Sequence, residues 1–140
     1  MPPLYSGYSV QKMQRELNLK SGDWDVLEDR RPLTSDQRPE FRILTISRQS
    51  FTRFGTTGEL VMTFYNDRLM TTLFYPVDLG VLRLALAREA DISFSAQGDT
   101  RIEPATRIWI GKARDGRSYI GWIDLELQHR QDEWIEKYGR

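Results

Sequence analysis

The chain has 140 residues, 20 basic and 20 acidic side chains, no Cys, and one His, His129. That length suits one domain with a real core, and the balanced charge argues against a protein that coats nucleic acid or anionic membrane. Without Cys there is no disulfide, thiolate metal site or Cys nucleophile, and one His excludes multi-His metal sites, so no metal and no cofactor is expected.

Ser9 is positioned to cap a helix carrying Val10, Met13 and Leu17 at spacings of three and four, with Asn18 to Gly22 ending it. Trp24-Asp25-Val26-Leu27 reads as a short strand, and 28–40 as an exposed loop. Phe41 to Ser47 is β-branched and aromatic, hence a strand, which Phe51 to Phe54 continues. Gly55 to Gly58 reads as a turn.

The segment 59–75 is patterned most clearly. Leu60, Met62 and Phe64 alternate, Asn66-Asp67 interrupts, and Leu69, Thr71 and Leu73 alternate again. A two-residue turn there pairs Phe64 with Leu69, Met62 with Thr71 and Leu60 with Leu73 on one buried face. The other face carries Val61, Tyr65, Met70 and Phe74, which is too apolar to stand fully in water.

Asp78 is a suitable N-cap for a helix reaching Arg88 to Ala90, with Leu79, Leu82 and Leu86 as its stripe and Val81, Leu84 and Ala85 widening it. Ile92 to Phe94 reads as a short strand and Gln97 to Asp99 as a turn. Asp115-Gly116 is a hairpin signal between strands 107–112 and 117–125, and a two-residue turn there pairs Trp109 with Trp122 and Ile108 with Ile123. Gln128 to Tyr138 reads as a terminal helix presenting Gln131, Trp134, Ile135 and Tyr138 on one side. The sum is an α+β fold: an antiparallel sheet of hairpins with an N-terminal, a middle and a C-terminal helix. The domain expectation is one unit over 1–140, with a degenerate helix-plus-sheet repeat over 9–75 and 78–138.

Charge is unevenly spread. From Arg30 to Arg53 six Arg face two acids, a net of 6 − 2 = +4; from Ile120 to Glu136 one Arg faces five acids, 1 − 5 = −4. Solvated faces that pair within the fold account for both runs, while a basic recognition patch near the first strands is the sharper alternative. On that alternative Arg30, Arg31, Arg38 and Arg42 are partner-binding candidates. Trp109 and Trp122 join them if their face is uncovered.

Catalytic candidates are sparse. Asp23 and Asp25 flank Trp24, a spacing common on exposed strands, and His129 sits at a strand–helix junction. Ser47, Ser50 and Ser118 lack a nucleophile-elbow context, so no catalytic residue is assigned.

The stretch Gly7-Tyr8-Ser9-Val10-Gln11-Lys12-Met13-Gln14-Arg15-Glu16-Leu17 resembles the helix start of the small outer-membrane assembly lipoproteins of the SmpA/OmlA (BamE) type, and Leu60-Val61-Met62-Thr63-Phe64-Tyr65-Asn66-Asp67-Arg68-Leu69 resembles a late strand of that family. The β-lactamase-inhibitor-protein type has a similar unit twice. The resemblance covers residues 7 to 75 and departs from the family in lacking its Leu-Gly-x-Pro and its lipid-carrying Cys. It implies a non-enzymatic protein–protein interaction module of the bacterial envelope. The alternative is a cytoplasmic inhibitor or immunity-type protein acting on an enzyme or toxin, with a small hydrolase ranking third. The expected partner is another protein, not nucleic acid. No membrane span is present, and a lipid anchor is compatible with a precursor. Residues 1–5 carry no leader signature, so the location is periplasm or outer membrane if a leader has been removed, and cytoplasm otherwise.

Overall fold

The structure is a computed structural model and describes residues 9–17, 24–31, 41–53, 55–89, 101–102 and 105–138. In chain order the elements are α1 (Val10–Glu16), β1 (Asp25–Arg30), β2 (Ile43–Arg53), β3 (Thr56–Tyr65), β4 (Arg68–Pro76), α2 (Leu79–Glu89), β5 (Arg101–Ile102), β6 (Thr106–Lys112), β7 (Ser118–Asp124) and α3 (Leu125–Tyr138). The strands form one sheet ordered β1-β2-β3-β4-β7-β6-β5, and every neighbouring pair is antiparallel. This is the expected α+β fold with its three helices. No helix of the described residues is long and apolar enough to cross a membrane.

Helices lie on both faces of the sheet. On one face Met13 of α1 and Leu82 and Leu86 of α2 close over Leu44, Ile46, Leu60, Met62, Phe64, Leu69, Phe74, Ile108, Ile120 and Trp122. On the other, Leu127 and Trp134 of α3 cover a smaller cluster of Phe41, Ile43, Tyr65, Met70 and Ile123. The Trp134 ring stacks on Phe41 at 4.2 Å. Leaving β7 and reaching the start of β2 takes α3 over three strand spacings, about 14 Å. The nine residues from Leu125 to Trp134 rise about that far.

Local chemistry sets the helix starts. Ser9 Oγ accepts from the Lys12 N–H, Asp78 Oδ1 from Val81 and Asp124 Oδ1 from Leu127. The β3–β4 turn falls at Asn66-Asp67, both with positive φ (47° and 61°). It is also an anchor. Asn66 exchanges two hydrogen bonds with the Arg42 backbone, and Asp67 Oδ1 accepts from the Val10 N–H at the start of α1.

The hairpin registers correct the sequence reading. Phe64 pairs with Leu69 as expected, but Thr63 pairs with Thr71, so Met70 is an extra residue. Beyond this bulge Met62 meets Thr72 and Leu60 meets Phe74. Phe74 takes the buried place expected of Leu73, which turns half-buried to the opposite face. At the second hairpin, Lys112 pairs with Ser118 and Ala113 with Arg117, leaving a three-residue loop closed by Gly116 at φ 88°. A three-residue loop with glycine in the left-handed position competes well with the two-residue turn. Every pair therefore slips by one: Trp109 meets Gly121, Ile108 meets Trp122 and Ile110 meets Ile120.

Smaller differences follow from context. Strand β1 extends through Glu28 to Arg30 instead of yielding to a loop, because it pairs with β2 along its length. Thr56 to Gly58 belong to β3, not to a turn. Helix α3 begins at Leu125, where Asp124 caps it. Val81 and Leu84 point to solvent instead of widening the α2 stripe, and Ile135 is likewise exposed. The expectations for Asn18 to Gly22, Asp23, 32–40, Ile92 to Phe94 and Gln97 to Asp99 lie outside the described residues.

Candidate functional site

Among the described residues, α3 covers one end of its sheet face and no helix covers the other. Cross-strand pairing orders that face into rows. Thr45, Thr63, Thr71, Ile123 and Arg107 form the row nearest α3, then Ser47, Val61, Leu73, Gly121 and Trp109. The outermost positions are Glu59 beside Tyr75 and Gly111 beside Tyr119. Ser47 apart, the side chains of the two outer sets are half-buried: they form a surface, not a core.

Three rings dominate it. A Cβ at Gly121 would come within 2.6 Å of Trp109 Cζ2, and one at Gly111 within 2.7 Å of Tyr119 Cζ, so each ring lies across the glycine of the opposing strand. Trp109 Nε1 donates to Tyr119 Oη at 3.2 Å, and the two rings meet edge to face with centroids 6.3 Å apart. Tyr75 sits 5.4 Å from Tyr119. The missing glycine side chains lower the relief, and the hydrogen bond locks the rings in place.

Arginines stand over this platform. The Arg107 guanidinium lies 4.9 Å from the centre of a Trp109 ring, and that of Arg117 4.4 Å from Tyr75. Arg117 is forked further, donating to Glu59 Oε1 at 2.9 Å and to Asp115 Oδ2 at 2.7 Å. Those two carboxylates hold its pKa above the usual arginine value, and Arg117 in turn, through its backbone N–H and its side chain, holds Asp115 below the usual aspartate range. Burial pushes the Tyr75 phenol up.

The other sequence candidates lie elsewhere. Trp122 is 2 % exposed against Ile108, on the face under α2, so it is no part of a surface; the one-residue slip of the hairpin separates it from Trp109. Arg31 and Arg42 both fork onto Asp29, and Arg30 pairs with Glu28, so these three candidates of the basic run each have an acidic partner. The two guanidinium groups, Arg42 first, hold Asp29 below the usual aspartate range. Arg38 lies outside the described residues. Asp25 is exposed on the edge strand, and His129 pairs with Glu133 on open helix surface. Among the described residues no three His, Cys, Asp or Glu side chains converge as metal ligands would.

Reading the residues one at a time missed Tyr75, Tyr119 and the two glycines. The available signal was the pair Trp109-x-Gly111 and Tyr119-x-Gly121, in which ring and glycine alternate on facing strands. Two lesser features complete the surface. Arg68, Asp124, Glu126, Leu127 and Arg130 line a shallow polar recess at the start of α3. Val77, just before α2, and Val81 and Leu84 on it are exposed apolar side chains. No protein-family model matches the chain, and no curated protein and no solved structure matches it either.

Proposed function

We propose that the chain is a non-catalytic protein-binding module and that it binds through the half of the sheet left bare by α3. The observation that carries this is the interlocked platform of Tyr75, Tyr119 and Trp109 on an uncovered face. Aromatic side chains with few rotatable bonds, flanked by arginine, are the residue types that supply most of the binding energy at protein interfaces. A face built only to meet water would not need glycines cleared for rings. Placement in the bacterial envelope is part of the same proposal and rests on the resemblance of residues 7–75. Leu60 to Leu69 of that stretch form β3, the Asn66-Asp67 anchor and the start of β4.

The experiment is capture from the source cell's envelope fraction by the wild type and by the Trp109→Ala, Tyr119→Ala double variant. Neither ring is part of either buried cluster, so the variant should keep its circular dichroism spectrum and cooperative melting. Loss of a captured protein by the folded double variant is the expected result. Undiminished capture would overturn the surface assignment.

A further inference from the structure

Resting on that reading, we propose that the bare platform recognises an acidic segment of its protein partner, with carboxylates seated on the β6–β7 hairpin and apolar side chains on the rings. From Thr106 to Ser118 the hairpin carries Arg107, Lys112, Arg114 and Arg117 against Asp115, a net of 4 − 1 = +3.

Several basic side chains are answered within the fold: Arg30 by Glu28, Arg31 and Arg42 by Asp29, Arg130 by Glu126 and, on the hairpin itself, Arg117 by Glu59 and Asp115. Arg107, Lys112 and Arg114 have no acidic partner among the described residues. Lys112 alternates onto the opposite face, but Arg107, beside Trp109, and Arg114, in the loop at the end of the hairpin, are two uncompensated cations next to the aromatic surface and make a charge complement for carboxylates.

Geometry sharpens the choice of ligand. A guanidinium lying on an indole face keeps its N–H edge free, and that edge accepts a carboxylate in two parallel hydrogen bonds. Arg107 on Trp109 is held in this way. The glycine-flattened rings give an extended chain room to lie across the rows, its apolar side chains meeting Leu73, Trp109 and Tyr119.

A single-stranded nucleic acid fits less well. Base stacking needs open ring faces, and guanidinium groups already occupy those of Trp109 and Tyr75.

The test uses the whole chain, isotope-labelled for NMR, and three probes: a short peptide in which glutamate alternates with leucine, the same peptide with glutamine for glutamate, and oligouridylate. The glutamate peptide should shift the Trp109 indole N–H and the Gly111, Tyr119 and Gly121 amides while leaving the Trp122 indole, on the other face, in place. Its affinity should fall with added salt. The glutamine peptide, or the Arg107→Gln, Arg114→Gln double variant, should bind about tenfold more weakly. Arg88→Gln, on α2, should change nothing.

Absence of shifts at Trp109, equal binding of the glutamine peptide, or tighter binding of oligouridylate at these residues would each overturn the proposal. If the envelope capture still depends on Trp109 and Tyr119 when the acidic peptide fails, the acidic specificity alone is wrong. If that capture is also indifferent to the rings, the binding surface itself is misplaced.

Discussion

Gly121 and Gly111 are where a single atom most directly tests the surface. Adding one methyl at Gly121 leaves Trp109 nowhere to lie, since the new Cβ and the indole edge would compete for the same space. Gly121→Ala should therefore lift the indole off the sheet, break its hydrogen bond to Tyr119 and cost roughly 1–3 kcal/mol of stability. Urea unfolding and the Trp109 indole N–H resonance check both parts; an unmoved resonance would refute the interlock. Asp115 tests the electrostatics. Its carboxylate accepts from the Arg117 backbone N–H and Nε, which lowers its pKa on folding. A group whose pKa falls on folding stabilises fully above its unfolded value, about 3.9 for aspartate, and that contribution is lost as pH falls through the folded value. The stability gap between wild type and Asp115→Asn should thus be flat near neutrality and close in acid below that range. A gap that widened in acid would reverse the assignment of cause.

Among the elements, the β3–β4 hairpin and α3 carry the two cores. Phe64 is 1 % exposed beneath the helices, and Phe64→Ala should cost about 3–5 kcal/mol of unfolding free energy, measured by urea titration. Trp134→Ala should lose about 1 kcal/mol from the ring pair with Phe41, plus the area it uncovers. The hairpin was legible because two signals agreed: strict alternation, and two adjacent residues, Asn66 and Asp67, that tolerate positive φ. What stayed hidden was the count of residues between them and the strand ends. Alternation fixes which residues share a face only while every residue is paired, so one unpaired Met70 exchanges Leu73 for Phe74. The same limit moved Trp109 away from Trp122. Asp115-Gly116 announces a hairpin, yet two-residue and three-residue loops use the same dipeptide, and only packing of both sheet faces decides between them. Pairing of the basic run within the fold, the first of its two readings, was legible for Arg30 and Arg31, whose sequence neighbours are Glu28 and Asp29, but the fork that neutralises Arg42 depends on β1 pairing with β2.

At the scale of the molecule, one sheet separates a face closed by two helices from a face closed by one. A chain ending after Asp124 would bare Phe41, Ile43, Tyr65 and Met70 as well as the aromatic rows, a contiguous apolar surface of the kind that drives aggregation. Such a truncation should bind hydrophobic dyes and self-associate in sedimentation, whereas the full chain should not; a well-behaved truncated monomer would deny α3 its covering role. Met70 has the wider consequence. By standing outside the ladder it reverses the parity of everything after it in β4. Loss of Met70 alone would leave Phe74 inward, but drawing Met70 into the ladder, with no residue lost, would restore strict two-by-two matching of the hairpin, send Phe74 outward and carry Tyr75 inward. The strand would keep its whole composition while the platform lost a ring and Arg117 lost the surface it rests on. The outer face of this protein is thus written in a reading phase that one supernumerary methionine sets.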